Sequence, residues 1–455
     1  MDRRTYKEII SVFQSWKYTA EQRFDSYSRR ILLSKLQNKY SYIYMPPVEG
    51  FFLSLKNLTI NSDVAVIEKN KLLTVRTKKE QIFFYSMLDS RVMPFDITFQ
   101  NLESGRISLT LINNNHDFFQ IKDNEIHFWF HPMHYSNILA LNIFNSFQNQ
   151  ISVTYHLSSG EIVKTSVLAK YSEINYIQNH NQVIKNTISE PRLGFKISIS
   201  LNDLSNKSFK KINLSFESTY QGLISNNLKN CFYANIIPMG NQAKLLSRSF
   251  YVDGSAEYYL LSVDIDTEYY IYGVSCLLVD DNVIDKSFYS IIYDNNKVYV
   301  EFHKLEGIYK KNVSAYVYIH IIYSRSIFNQ NCLLHWTGGN ISYYELDCLD
   351  CVETTKSQPF KQKLEPLQNL LNIESVSRWT IESWKQLFIF FDQYTDHGIH
   401  NCLYRVRQDG KQIYLYFTND NDDFKVWLDF YIHQVNKFLI YNMTYHDVIL
   451  VGIYR

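Results

Sequence analysis

The sequence predicts an α+β protein with a helical amino-terminal segment, β-rich and mostly antiparallel middle domains, and an α+β carboxy-terminal domain. Three observations carry that reading. Apolar residues recur every three or four positions up to Met45, every second position through the long middle, and at helical spacing again in the last hundred residues. Proline and glycine are scarce, 8 and 14 in 455 residues, so the few that occur act as punctuation. At this length one hydrophobic core does not suffice, and two to four domains are expected.

From Met1 to Met45 there is neither glycine nor proline. Tyr6, Ile9, Phe13, Trp16, Ala20, Phe24, Tyr27 and Ile31 form one apolar stripe, with charged and polar residues between them. This spacing predicts one long helix or two in series. Pro46-Pro47 then ends it, because proline lacks an amide proton and clashes with a preceding helical turn. Tyr6, Ile9, Phe13, Trp16, Phe24, Tyr27 and Ile31 are the candidate partner-interface residues. Buried at about 1.5–3 kcal/mol per large side chain, such a stripe contributes on the order of ten kcal/mol before ordering costs. Packing against the chain's own β-rich body is the alternative fate of the same stripe.

Beyond the prolines the pattern turns to period two. Ile107, Leu109 and Leu111 alternate with polar residues, as do Ile151, Val153, Tyr155 and Leu157. Phe195, Ile197, Ile199 and Leu201 follow, then Ile212, Leu214 and Phe216, then Val298, Val300 and Phe302, then the tract 316–322. These read as half-buried antiparallel strands joined by Asn, Asp, Ser and Gly turns. The Asn/Gln-rich stretch 171–191 and the stretch 353–366, with its two prolines, are the candidate boundaries. They divide the chain into 1–45, a helical segment; 46–185, β-rich with a short helix; 186–355, antiparallel β; and 356–455, α+β. In the last of these, Ile381, Trp384, Leu387, Phe388 and Phe391 mark one helix with Thr380 as its N-cap. Phe424, Trp427, Leu428, Tyr431, Val435, Phe438 and Leu439 mark another, capped by Asp423. Strands are expected at 412–418 and 448–453.

Composition excludes several classes. Lys+Arg 46 against Asp+Glu 45 leaves a net charge of +1 with no charge run, so the footprint of a dedicated nucleic-acid binder is missing. Tyr 36 and Phe 30 suit interfaces packed at the centre and wet at the rim, or an AT-rich coding bias. The amino terminus lacks a signal-peptide apolar stretch, and no apolar run approaches the roughly 20 residues that span a bilayer. Six scattered cysteines are not a disulfide framework. A cytoplasmic protein is therefore expected.

The candidate chemical motifs fall short. His127, His131 and His134 are the closest approach to a metal cluster. However, 126–130 reads as a strand, where residues three apart face opposite ways, and Pro132 breaks any helix that would gather all three. Cys348 and Cys351 form a lone Cys-x-x-Cys without a second pair, and lack the helix-opening context of a redox dithiol. Asp264, Asp266 and Glu268 read as alternating along a strand, on its wet face. Asp420, Asp422 and Asp423 imitate the start of a calcium loop but lack glycine at its sixth position. No Walker-type loop and no Gly-x-Ser-x-Gly elbow occurs. No catalytic residue, cofactor or metal is expected. A β-rich hydrolase, carbohydrate-active or metal-dependent, and a secreted effector or adhesin are the competing classes.

Three places resemble one family. The run Pro94-Phe95-Asp96-Ile97-Thr98-Phe99, the strand 107–112, the segment Ile126-His127-Phe128-Trp129-Phe130 and the helix 135–144 follow its order of elements, the third similar to its L-R-F-x-L. Asn230-Cys231 resembles its N-C-T-P-V-x-N-L-F strand. Glu257-Tyr258 and Tyr270-Ile271-Tyr272-Gly273-Val274 then stand where it has E-Y-x-V and Y-E-V-Y-S-V. Finally, 370–376 leads into the Trp384 helix as L-I-S-x-L-S-L-N does, and 428–451 resembles its last helical run, with Tyr445 at the aromatic place. Over residues 90–455 the chain thus resembles the TssF family, wedge proteins of the type VI secretion baseplate. Phe232-Tyr233 in place of Thr-Pro, Asn235 one residue early and a shorter amino-terminal part mark an atypical branch, of the Francisella type. The resemblance implies a structural role. The expected partners are a TssG-like protein in the wedge, TssE-like and TssK-like baseplate proteins, a VgrG spike and further copies of the chain. The expected place is cytoplasmic, under a membrane complex at the bacterial inner membrane, with no direct membrane contact.

Overall fold

The computed structural model describes residues 48, 50–57, 66–76, 81–103, 105–133, 135–171, 187–188, 190–201, 204–220, 228, 230–294, 297–322, 333–336, 344–352, 380–392, 398–418, 422–442 and 449–454. The predicted helix of 1–45 lies outside them. Two compact units are present: residues 243–322 belong to one, and 46–242 with 323–455 form the other.

The larger unit contains two sizeable antiparallel sheets. The first has the order Leu333–Trp336, Leu72–Arg76, Gln81–Ser86, Ile236–Gly240, Gly50–Asn57, Tyr344–Val352. It therefore joins strands from 46–185 to strands from 186–355. Gly50 pairs with Gly240 and, across its other edge, with Val352. Asn235 locks this sheet to its neighbours. Its buried amide accepts from the Met93 N–H at 2.6 Å and donates to the Met93 carbonyl at 3.0 Å, while its own carbonyl accepts from Leu55 N–H at 3.1 Å. The residue that stands early against the family motif is thus a satisfied side-chain bridge.

The second sheet runs Phe232–Tyr233, Glu125–Phe130, Lys196–Ser200, Ile162–Tyr171, Gln150–Leu157, Ser208–Glu217, Arg106–Ile112, Asp96–Glu103, with Phe119–Gln120 paired to Ser208–Glu217. The period-two expectations hold here. Ile107, Leu109, Leu111, Ile151, Val153, Tyr155, Ile197, Ile199, Ile212, Leu214 and Phe216 are all buried. Helix α1 (Asn137–Asn145) covers one side, with the Ser136 Oγ accepting from Leu139 N–H. Its Phe144 stacks on Phe195 at 4.4 Å, and Phe147 meets Phe130 and Phe216 edge-on at 5.0 and 5.3 Å. Offset and edge-to-face rings pack densely, so much of the phenylalanine excess serves this core.

The carboxy-terminal part is α+β as expected. Helix α2 (Ile381–Asp392) is capped by the Thr380 hydroxyl, which accepts from Ser383 N–H at 3.2 Å. Helix α3 (Ile399–Cys402) leads into strand Leu403–Asp409. Helix α4 (Asp422–Asn442) buries Trp427, Leu428, Tyr431, Val435, Phe438 and Leu439 and packs against α1. It begins at Asp422, so Asp423 lies inside its first turn and not before it. Strand Gln412–Phe417 pairs antiparallel with Leu403–Asp409 and parallel with Ile449–Tyr454, the parallel ladder being possible because α4 makes the crossover.

The described residues of the smaller unit are strands joined by turns, with one 3-10 turn at Lys286–Phe288. Strands Gln242–Leu246, Lys311–Ile321, Tyr269–Val279 and Asn282–Val283 form one sheet, with Phe250–Val252 beside Lys311–Ile321. Tyr258–Leu260, Lys297–Phe302 and Tyr289–Asp294 form another. Val313, Ala315, Val317, Ile319 and Ile321 are fully buried, the strongest period-two run in the unit.

Candidate functional site

Residues Tyr6 to Ile31, the candidate interface, lie outside the described residues. The described candidates can be placed. His127, on strand Glu125–Phe130, shares a hydrogen bond with the Ser198 hydroxyl at 2.8 Å and lies 4.0 Å from Glu125. Burial, with Lys196 adding repulsion, pushes its pKa down to about 4. His131 follows the strand and is 1% exposed, its ring 4.2 Å from Phe52. Its Nε2 has no partner, and burial with the nearby Arg192 charge holds it well below the ordinary histidine range. His134 is outside the described residues. His127 faces Ser198 on one strand pair, while His131 enters the apolar cluster of Phe52, Leu88, Trp129 and Leu193. The two described imidazoles are thus used separately, and among the described residues no group of three or more metal-type side chains converges.

Beside His131 lies a charged pair that no sequence motif marks. Glu190 and Arg192 are both buried and joined by two parallel contacts, Nε to Oε1 at 2.7 Å and Nη2 to Oε2 at 2.8 Å. The Arg192 guanidinium also stands 6.0 Å from the Phe52 ring. Pro191 between them starts a 3-10 turn whose N-cap is Glu190, so the pair is held by two residues of local chain. Only their i,i+2 spacing around a proline hints at it in the sequence.

The other candidates resolve similarly. Cys348 and Cys351 lie on strand Tyr344–Val352, opposite Leu53 and Phe51, with a bulge between; Cys348 is exposed. Asp264, Asp266 and Glu268 do not alternate along a strand. They occupy the irregular link between Tyr258–Leu260 and Tyr269–Val279, where Asp264 pairs with Arg248 and the Tyr269 hydroxyl accepts from Val263 N–H at 2.9 Å. These side-chain contacts give the link's backbone an alternative to a ladder. Asp420 is outside the described residues.

One constellation imitates catalytic machinery. Asp392, at the end of α2, accepts from both the ring Nδ1 (2.7 Å) and backbone N–H (2.9 Å) of His400, and Cys402 is two residues on. Burial and the Asp392 charge both raise the Cys402 thiol, the opposite of what an activated nucleophile requires. Asp392 itself is raised by burial, against the pull of His400. The arrangement ties α2 to α3. No helix among the described residues is long and apolar enough to cross a membrane.

Fold and side-chain placement define a class: a mostly antiparallel, multi-sheet protein with a few helices in its larger unit, in which His131 and the Glu190–Arg192 pair are buried in packing. No family model matches the chain, and no curated protein matches its sequence. Solved structures do. A chain of the type VI secretion TssK-TssF-TssG baseplate subcomplex, determined by cryo-electron microscopy, shares the fold with a TM-score of 0.68 at 9% identity, over 99% of this chain and 96% of that one. A chain of a type VI secretion baseplate complex gives 0.52 at 10% identity, over 86% and 79%. At these identities the likeness is one of fold, and it is a likeness to baseplate components.

Proposed function

We propose that this chain is a non-catalytic, TssF-like structural component of a type VI secretion baseplate wedge. It assembles with a TssG-like partner, meets TssK-like and TssE-like proteins and further copies of itself around a VgrG spike, and so supports sheath and tube assembly. It works in the cytoplasm, in a particle docked under an inner-membrane complex. The observation that carries the reading is end-to-end agreement in fold with a chain of the TssK-TssF-TssG subcomplex, 99% of one against 96% of the other. The collinear motifs over residues 90–455 support it by a separate route, since identity that low gives the fold comparison little sequence to lean on.

Within this reading the stripe Tyr6, Ile9, Phe13, Trp16, Phe24, Tyr27 and Ile31 enters a helical bundle shared with the TssG-like partner. The test is affinity purification from the native cell. The wild-type chain brings down TssG-like and TssK-like proteins. Phe13→Asp with Trp16→Asp loses the TssG-like protein while circular dichroism and melting of the purified chain stay unchanged, because two buried carboxylates at an apolar contact cost several kcal/mol. Purification without any baseplate protein overturns the proposal, and unfolding of the double variant reassigns the stripe to the chain's own core.

A further inference from the structure

The three-stranded carboxy-terminal sheet ends on strand Leu403–Asp409, and among the described residues no strand occupies its far side. Leu403 is buried, where α2 and α3 pack against the strand. From Tyr404 onward it stands clear: Tyr404, Arg405, Arg407, Gln408 and Asp409 are exposed and Val406 is half-buried, so both faces meet solvent. An edge with solvent on both faces presents unpaired backbone groups to an incoming strand.

The turn fixes which groups those are. Asp409 pairs with Gln412 across Gly410 and Lys411, and Gly410 takes the left-handed conformation at φ 59°. In a two-residue hairpin the flanking pair exchanges hydrogen bonds and the pairs alternate from there. Val406 and Gln408, opposite Leu415 and Ile413, therefore aim their N–H and C=O groups outward.

Side chains then select the occupant. Arg405 lies 5.3 Å over the Tyr416 ring, which also meets Tyr404 at 6.2 Å, and Arg407 reaches Asp409 at 3.4 Å while 60% exposed. Rigid aromatics with arginine are the residues that most often anchor protein contacts. Two copies meeting edge to edge in the register centred on Val406 would set Arg405 of each against Arg407 of the other, and like charges across a ladder repel. The same charges attract a carboxylate-bearing strand. Resting on the assembly reading above, we infer that the Leu403–Asp409 edge receives an extended, acidic segment of a partner protein as a fourth strand of this sheet.

The probe is a labelled, end-capped peptide alternating glutamate with valine and threonine, titrated into the full chain at low salt. Binding is read by fluorescence anisotropy, and amide exchange at Val406 and Gln408 by mass spectrometry or NMR. Saturable binding with slowed exchange at those two amides is expected. Val406→Pro removes an outward N–H without touching the internal ladder and weakens binding about tenfold or more. Arg405→Glu with Arg407→Glu, or a lysine-for-glutamate peptide, does the same through charge. If Val406→Pro fails to fold, the charge-reversal variant carries the test. No binding, equal binding of the lysine peptide, or full binding by the folded variants overturns the inference. Co-purification of baseplate proteins is unaffected by that failure unless the assembly reading fails too, so the two are separable.

Discussion

His131 shows how a residue with the chemistry of a ligand becomes a liability of packing. Its ring fills space between Phe52 and Tyr233, with centroids 4.2 and 6.4 Å away, and its Nε2 is left without a partner beside the cation of Arg192. The folded state keeps it neutral. Below the ordinary histidine pKa of about 6.5 the unfolded chain binds a proton that the folded chain refuses, so stability rises with pH and is lost as pH falls. His127 behaves alike down to about 4, where its folded form titrates. Each such histidine steepens the acid loss by about 1.4 kcal/mol per pH unit. His131→Phe, which keeps a ring against Phe52 and drops the orphaned nitrogen, is expected to change stability at pH 7 by less than about 1.5 kcal/mol. It should also make the loss between pH 6.5 and 5 shallower by nearly one histidine's share. Urea unfolding at pH 7, 6 and 5 checks this, and an unchanged slope would show that His131 takes its proton in the folded state.

At the scale of elements, the first sheet depends on one glycine. Strand Gly50–Asn57 lies between Ile236–Gly240 and Tyr344–Val352, and a Cβ on Gly50 would run into the Met239 carbonyl, with the Gly240 Cα at 3.0 Å. Both obstacles are backbone and cannot rotate away. Gly50→Ala is therefore expected to part the strands and cost upward of about 2 kcal/mol, read as a lowered denaturant midpoint with early exchange of amides in 50–57. That strand was not legible beforehand. Phe51, Phe52, Leu53 and Leu55 are all buried, so the run lacks the alternation that marks a strand with one wet face. Where one face stays wetter, as in Gln150–Leu157, period two identified the strand outright. Helices α2 and α4 were equally plain, because a stripe at helical spacing is a local signal, as is the Thr380 hydroxyl that caps α2; the short α3 carries no such stripe and was not legible. The Glu190–Arg192 pair and the Asp392–His400 contact were not, since a charged residue looks the same in sequence whether solvated or buried. Nor was the parallel pairing of Gln412–Phe417 with Ile449–Tyr454, which depends on where α4 delivers the chain.

For the molecule as a whole, the order of its strands predicts how it can be divided. The larger unit is completed from both sides of the smaller one: Ile236–Gly240 precedes residues 243–322, while Leu333–Trp336 and Tyr344–Val352 follow them and close the same sheet. The described strands of the smaller unit close on one another. Phe250–Val252 runs antiparallel to Lys311–Val313, and the Ser247 N–H donates to the Ala315 carbonyl at 2.7 Å. Continuing that register brings Gln242–Leu246 beside the far end of Lys311–Ile321, so the first and last described strands of the unit are neighbours. An inserted domain whose ends enter and leave on adjacent strands can be excised without breaking either sheet. A fragment of residues 242–322 is therefore expected to fold alone, with a single cooperative thermal transition and slow exchange of the Val313–Ile321 amides. A fragment of residues 46–242 lacks both closing strands of its first sheet and leaves Phe51, Phe52 and Leu53 without their cover. It should stay non-cooperative and bind a hydrophobic dye. A folded 46–242 beside an unfolded 242–322 would reverse the hierarchy and show that the smaller unit borrows its stability from outside its own strands.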